Sequence, residues 1–421
     1  MKRLFGVWEM IKRIIAFTVL TLYLLNVTVF ADASISTAPD PETVVTEYYS
    51  VDLYEDTITA SATIPMSTAP EIAAKSVILM ECSTGKVLYE NNSDESLSPA
   101  SITKIMTMLL ISECLDNGSL LLTDKVTASE HAVSMGGSQI WLEVGEQMTV
   151  EELLKAVAVG SANDASVALA EHIAGSEEGF VGMMNEKAQT LGMSNTVFKN
   201  ACGLDEDGHI TSARDVAIMS CELLKHDVIK QFTTIWMDSL RNGSTELVNT
   251  NKLVRFYSGA TGLKTGTTDK AGCCLSASAK HDGMEIVAVV MNAESSNERF
   301  TGAKKLLDYG FANWCLSKPE FDESSIDNIK VEKGVKEQVN IDVEPLGNEL
   351  LSKSESGSIT VETDLPDYVA APVEKDTVIG NVKVLLNGEV ISKYNVYATE
   401  TVDKISFGFL FNTLISKLLN V

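Results

Sequence analysis

The amino-acid sequence predicts an α+β protein. Short β-rich runs open the folded region and return after residue 260, the chain between them is helical, and further alternating runs follow Pro319. Strands at both ends of a helical middle imply an antiparallel sheet flanked by helices, with its outer strands drawn from opposite termini. A small C-terminal all-β domain and an amphipathic terminal helix complete the expected architecture. The 421 residues suffice for about two or three domains and a large buried core. With 45% hydrophobic and 22% charged residues, 9 Pro and 27 Gly, a disordered, collagenous or disulfide-dense chain is excluded. The formal charge is −25, from 33 Lys plus Arg against 58 Asp plus Glu. A surface that tracks phosphates needs cations, so nucleic acid is not an expected partner.

Taken in order, Lys2, Arg3, Lys12 and Arg13 precede the apolar run Ile14 to Ala31, and small residues follow in Ala31-Asp32-Ala33. Residues 1–33 therefore read as a secretory signal cleaved near Ala31 or Ala33. The alternative is an uncleaved anchor, which Asn26 and scattered threonines weaken. Residues 34–70 carry no Lys or Arg and are interrupted by Pro39, Pro41, Pro65 and Pro70, as in an acidic flexible linker. Ser76 to Glu81 and Lys86 to Glu90 read as a hairpin around Cys82-Ser-Thr-Gly85. Ser101 to Leu115 is apolar on nearly every side, the signature of a helix buried within a domain.

Thr149 and Glu152 form a capping-box pair ahead of Leu153, Leu154 and Val157, so another helix starts there and ends near Gly160. Gly272 to Ala279 and Met284 to Asn292, joined by His281-Asp282-Gly283, read as an antiparallel hairpin. A last helix carries Phe300, Ala303, Leu306, Leu307, Phe311 and Trp314 on one face, closing a domain over residues 71–315. Residues 316–403 hold short alternating runs at Ile326 to Val331, Gln338 to Val343, Gly357 to Thr363, Gly380 to Leu386 and Glu389 to Tyr397, with a turn at Asn387-Gly388. In residues 404–421, Phe407, Leu410, Phe411, Leu414 and Leu418 share one helical face, which suits lying in a membrane interface. The alternative is a terminal helix docked on the β domain.

Seven cysteines in a chain this long do not make a disulfide scaffold or a Cys-x-x-Cys zinc site, and are read as mostly reduced, buried thiols. Cys273 and Cys274 are adjacent in a strand, so their side chains point to opposite faces and do not pair. The five histidines show no ligand spacing, so no metal or other cofactor is expected.

Three motifs carry the chemistry. Ser101-Ile-Thr-Lys104 places a hydroxyl and an amine on one face at a helix start. A serine is a poor nucleophile until a neighbour takes its proton, and a lysine serves when burial and nearby positive charge, here Lys264, lower its pKa. Ser161-Ala-Asn163 follows a helix end and presents a hydroxyl and an amide; its plain alternative is a helix N-cap. In Lys264-Thr-Gly266, Lys264 and Thr265 can hold a carboxylate while Gly266 lets substrate approach a strand edge, against the alternative of an ordinary glycine-rich turn.

Together and in this order, the three motifs resemble those of the serine-type penicillin-recognising enzymes. The resemblance is to the low-molecular-weight D-alanyl-D-alanine carboxypeptidases, peptidase family S11. Pro99-Ala-Ser-Ile-Thr-Lys-Ile-Met-Thr107, Gly137-Ser138, Asn200-Ala-Cys-Gly-Leu204, Gly208-His209, Ala213-Arg214-Asp215 and Arg299-Phe300 extend it over roughly residues 70 to 315. It implies a penicillin-binding protein/β-lactamase-like transpeptidase fold. It also implies a catalytic set with Ser101 as acylated nucleophile, Lys104 as its proton acceptor, and Ser161 and Asn163 as proton relay and amide anchor. Lys264 and Thr265 would bind the substrate carboxylate, with Gly266 and Thr267 in the same substrate-binding run and Arg214 and Arg299 near the carboxylate, and the amides of Ser101 and Thr267 would form an oxyanion hole. Cys202 stands where the family often has His, and no role is assigned to it.

The implied substrate is a peptidoglycan stem peptide ending in D-Ala, cut outside the cytoplasmic membrane, with β-lactam antibiotics as acylating ligands and the C-terminal helix on the membrane surface. A β-lactamase would need an added carboxylate base, and no Glu-x-x-Leu-Asn segment is present. A non-catalytic wall-scaffold module is disfavoured by the presence of Ser101, Lys104, Asn163 and Lys264 together.

Overall fold

The structure is a computed structural model that describes residues 68–354 and 359–419. The signal segment and nearly all of the linker lie outside the described residues. A five-stranded antiparallel sheet of order β2-β1-β9-β8-β7 organises the larger part of the molecule. Its strands are β1 (Ser76–Glu81), β2 (Val87–Asn91), β7 (Ala260–Thr268), β8 (Gly272–His281) and β9 (Met284–Ala293). Two short hairpins, β3 (Lys125–Thr127) with β4 (Gln147–Thr149) and β5 (Met237–Leu240) with β6 (Thr245–Val248), lie between them in sequence. Within the sheet the first strand pairs with the last, Val77 opposite Val290, and the outer strands β2 and β7 come from either side of the helical middle, as expected from the sequence.

β1 and β9 read as nearly continuous apolar runs because the sheet is covered on both faces. Alternation sorts the side chains: Ile78, Met80, Val287 and Val289 join the principal helical core. Val77, Leu79, Ile286 and Ala288 pack on the other face with Ala303, Leu306 and Leu307. These last three belong to the C-terminal helix of this part, Ser296–Asn313. Trp314, expected on that helix, instead opens β10 (Trp314–Ser317) in extended backbone, because its main chain pairs with Ser352 of β14 (Glu349–Ser352).

The expected buried helix is α1 (Lys104–Asp116), entered through a 3-10 turn at Ala100–Thr103. Every residue from Lys104 to Ser112 is buried, so an all-round apolar sequence meets an all-round apolar environment. The capping box forms as expected, Thr149 and Glu152 satisfying each other's amides at the head of α2 (Val150–Lys155). That helix runs on as a π-helical stretch, Ala156–Gly160, before α3 (Asn163–Ala174) begins.

The remaining strands make a small β domain. A three-stranded sheet joins β11 (Ile329–Glu332), β12 (Gln338–Val339) and β16 (Tyr368–Ala370). A four-stranded one joins β13 (Ile341–Val343), β15 (Ile359–Asp364), β17 (Val378–Leu386) and β18 (Glu389–Ala398). Asn387 and Gly388 both take positive φ, 52° and 85°, as the Asn-Gly hairpin turn requires. The terminal helix, Phe407–Leu419, has no buried residue, and Phe407 is 85% exposed. It therefore does not dock on the β domain. Among the described residues no helix is long and apolar enough to cross a membrane.

Five cysteines are free, but Cys82 and Cys221 form a disulfide. The reading of mostly reduced thiols is corrected at this pair. A separation of 139 residues hides it in the sequence, and only the packing of the 213–223 helix on β1 brings the two Cα atoms to 4.9 Å. Cys273 and Cys274 are unpaired as expected, on opposite faces of β8. Alkylating the denatured, unreduced protein should label the five free thiols, not seven. The double substitution Cys82→Ala/Cys221→Ala should lower stability by about 2–4 kcal/mol in denaturant titration, since the open chain then has more entropy to lose.

Candidate active site

The turn that carries Ser101 is built under strain. Ala100 takes φ 47°, which is unfavourable for a residue with a Cβ, and so turns the chain sharply into Ser101. Gly203 and Gly266 allow neighbouring backbone to close on this turn. A Cβ on Gly203 would sit 1.9 Å from the Ala100 carbonyl oxygen, and one on Gly266 would sit 3.0 Å from both the Ile102 nitrogen and the Pro99 oxygen. Only glycine fits at 203, and a side chain at 266 would press tightly on the turn.

Lys104 opens α1 one turn after Ser101, and its side chain is fully buried. Its Nζ lies 2.9 Å from Ser101 Oγ, 2.6 Å from Asn163 Oδ1 and 2.6 Å from the Cys202 carbonyl oxygen. The last two groups are pure acceptors and take two N–H bonds. When the amine is neutral, its lone pair is left facing the Ser101 hydroxyl. That is the arrangement a proton acceptor needs.

Neither Ser161 nor Asn163 is a helix N-cap, contrary to the alternative considered for them. Ser161 sits in left-handed backbone, φ 62° and ψ 28°, at the end of the π-helical stretch, and Ala162 occupies the cap position of α3. Asn163 is held from three sides: Oδ1 accepts from Lys104, Nδ2 donates to the Gly136 carbonyl at 2.6 Å, and its backbone N–H donates to Ser138 O at 2.7 Å. Asp164, also fully buried, anchors the same loop by accepting from the Ile140 and Leu142 amides.

Lys264, Thr265, Gly266 and Thr267 lie on β7, an edge strand of the sheet, beside the turn that carries Ser101. Lys264 is fully buried with its Nζ on the Thr265 carbonyl at 2.8 Å, and Thr265 Oγ1 donates to Thr250 Oγ1 at 2.7 Å. Arg299 reaches the same strand from the 296–313 helix, donating to Gly266 O at 3.0 Å and Thr267 Oγ1 at 2.8 Å. Its Nε is buried without a partner. Arg214 is not brought there. Its guanidinium is committed to Asp94 at 2.7 Å, to Glu90 and to Ser93, because the acidic segment after β2 captures it, so its expected place near the substrate carboxylate is corrected.

Sequence reasoning missed the Cys202 carbonyl, which no side-chain identity could signal, and the buried pair of Thr103 and His209, which only the fold brings together.

Residues 63–295 match the family described as D-alanyl-D-alanine carboxypeptidase, and residues 318–404 match the penicillin-binding protein 5 C-terminal domain. The D-alanyl-D-alanine carboxypeptidase DacF of Bacillus subtilis is 46% identical over 338 residues, covering 79% of this chain and 87% of that protein. The chain belongs to the D-alanyl-D-alanine carboxypeptidase family. Among solved structures, penicillin binding protein 5 from Haemophilus influenzae superposes with a TM-score of 0.71 at 31% identity, covering 80% of this chain and all of that one. Penicillin-binding protein D2 from Listeria monocytogenes, in its ampicillin-bound form, does so at 0.53 and 30%, covering 58% of this chain and all of that one. The antiparallel sheet with flanking helices and a following β domain is thus the architecture of this family.

Burial pushes the Lys104 amine down to about 8. The like-charge effect expected at Lys104 falls instead on Lys264, which burial and then the charges of Lys104 and Arg299 hold well below the ordinary lysine range. If Lys104 is the base, only its neutral form can take the serine proton. Acylation by a penicillin should then climb as pH rises through about 8 and level off above, far below the ordinary 10.5. Lys104→Arg should lose at least about 100-fold in the acylation rate constant, because guanidinium keeps its proton. A pH-independent rate, or a competent arginine variant, would remove Lys104 from the chemistry.

Proposed function

We propose that this chain is a serine-type D-alanyl-D-alanine carboxypeptidase that removes the terminal D-Ala from peptidoglycan stem peptides through an acyl-enzyme, and that penicillins acylate the same serine. The observation that carries the reading is the Lys104 amine, 2.9 Å from Ser101 Oγ with its other donors occupied.

Neutral Lys104 takes the proton of Ser101 as Oγ attacks the penultimate D-Ala carbonyl carbon. The amides of Ser101 and Thr267 receive the developing oxyanion. Collapse breaks the peptide bond, and the departing D-Ala nitrogen takes a proton returned through Lys104 or Ser161. Water then attacks the ester, giving its proton back by the same route and freeing Ser101. Lys264, Thr265 and Arg299 supply positive charge and a hydroxyl for the terminal carboxylate, and a carboxylate there would favour the charged form of Lys264. Gly266 lets the substrate lie against the β7 edge, and Asn163 orients its amide. A β-lactamase reading lacks support, since among the described residues no carboxylate hydrogen-bonds Ser101 or Lys104.

Residues 71–315 serve as the catalytic domain and 316–403 as a small β-rich domain. The segment 404–421 lies in the outer face of the cytoplasmic membrane after cleavage of a signal at 1–33. The wholly exposed apolar face of the 407–419 helix supports this placement, since each fully buried Phe or Leu contributes about 1.5–3 kcal/mol.

Ser101→Ala should abolish both labelling by a fluorescent penicillin and release of D-Ala from a diacylated Lys-D-Ala-D-Ala peptide. Persistent labelling would put the nucleophile elsewhere. Amidating the terminal carboxyl should reduce kcat/KM by about 10- to 150-fold, the equivalent of losing a charge-assisted hydrogen bond. Equal rates for acid and amide would favour an endopeptidase. Deleting residues 404–421 should move the protein from the membrane to the soluble fraction while D-Ala release persists; retention on membranes would assign the anchor to the N-terminal segment.

A further inference from the structure

His209 is 1% exposed, lies outside the three motifs, and hydrogen-bonds Thr103 through Nε2 at 2.9 Å. Thr103 Oγ1 in turn lies 2.8 Å from the carbonyl oxygen of Ala100. The direction of this chain follows from its far end. The Lys199 backbone N–H can only donate, and it meets His209 Nδ1 at 3.4 Å, so Nδ1 is the acceptor and the proton sits on Nε2. Burial pushes the ring down to about 4, so it is neutral and carries one N–H at ordinary pH. His209 therefore donates to Thr103, and the Thr103 hydroxyl donates to Ala100 O.

The Ala100 carbonyl and the Ser101 N–H are the two ends of one planar peptide unit. Whatever fixes the direction of the carbonyl fixes the direction of the N–H. That unit follows a residue at φ 47°, so its orientation is not one the backbone adopts unaided. Gly203 blocks one side, its missing Cβ falling 1.9 Å from Ala100 O and 2.9 Å from Ser101 N. The Thr103 hydroxyl holds the carbonyl by a directed bond.

We infer that Thr103 and His209 are positioning residues that aim the Ser101 N–H at the oxyanion by hydrogen-bonding the carbonyl end of the same peptide unit. This rests on the proposed roles of Ser101 as nucleophile and its amide as oxyanion donor. Neither side chain touches substrate. Their effect appears only when negative charge develops on the attacked carbonyl, because ground-state binding does not depend on that donor's aim.

The test uses the full chain and measures three quantities. These are the first-order acylation constant with a penicillin, the dissociation constant of the preceding non-covalent complex, and the affinity for a peptide boronic acid that adds to the serine and places an oxygen in the oxyanion position. Removing an oxyanion donor outright costs about 100- to 1,000-fold, so a misaimed donor should cost about 10- to 100-fold. Thr103→Val should lower the acylation constant and the boronic acid affinity together by that factor and leave the non-covalent constant within about 2-fold. Thr103→Ser, which keeps the hydroxyl, should restore both to within about 3-fold of the parent. His209→Gln, which keeps a donor near the Nε2 position, should exceed His209→Asn, which does not reach, by about 10-fold in the same two readouts.

Wild-type acylation by Thr103→Val, or a serine variant no better than the valine one, would overturn the inference. If the valine variant does not fold, equal acylation by His209→Gln and His209→Asn would overturn it as well. Ser101→Ala separates the two levels: if that variant still acylates, the underlying assignment fails, whereas a dead Ser101→Ala beside a fully active Thr103→Val removes only the role of Thr103 and His209.

Discussion

A lysine with no exposed surface is the constraint around which this molecule is arranged. Burying the Lys104 amine is costly unless its donors are met, and the acceptors come from three separate stretches: Ser101 beside it, Asn163 at the head of α3, and the carbonyl of Cys202. Each contact ties a different part of the helical half to the start of α1. The same burial that demands these partners lowers the amine's proton affinity toward neutrality. Structural cost and chemical use thus have one origin.

Local strain is concentrated around this amine. Ala100 and Ser161, one residue before Ser101 and two before Asn163, both adopt positive φ. Each strained residue is held by its surroundings: Ala100 by Gly203, Gly266 and Thr103, and Ser161 by the π-helical stretch before it and α3 after it. Strained backbone persists only where the surrounding structure over-determines it, and here the surroundings are also the parts that carry chemistry. The edge position of β7 adds a second requirement. An edge strand has one unpaired row of backbone groups, and this one lies beside the turn that carries Ser101, where an extended peptide can align with it.

Charge is distributed to match. The chain is strongly acidic as a whole, yet Lys104, Lys264 and Arg299 are buried together at the junction of α1, β7 and the 296–313 helix. Burial, and then the charges of Lys104 and Arg299, depress Lys264, and Arg299 keeps a buried Nε with no hydrogen-bond partner among the described residues. A cluster of buried cations short of anions is an electrostatic vacancy that a carboxylate fills favourably. Arg214, with acidic neighbours of its own at Glu90 and Asp94, is neutralised locally.

Much of this was legible in the sequence because it depends on local pattern. The buried α1, the Thr149 capping box, the β8–β9 hairpin and the Asn387-Gly388 turn each follow from residues a few positions apart, where periodicity and φ preference act directly. The three motifs were visible for the same reason. What joins distant positions was not. The disulfide across 139 residues, the capture of Arg214 by Glu90 and Asp94 and the pairing of Trp314 with Ser352 depend on which surfaces meet after collapse. The sequence by itself determined the α+β class, the order of the motifs and the residue types able to move a proton and hold a carboxylate. Tertiary structure alone decided that the Cys202 carbonyl and Asn163 would occupy the amine's other donors and leave its lone pair facing Ser101, because hydrogen-bond direction is set by the relative placement of backbones far apart in the chain.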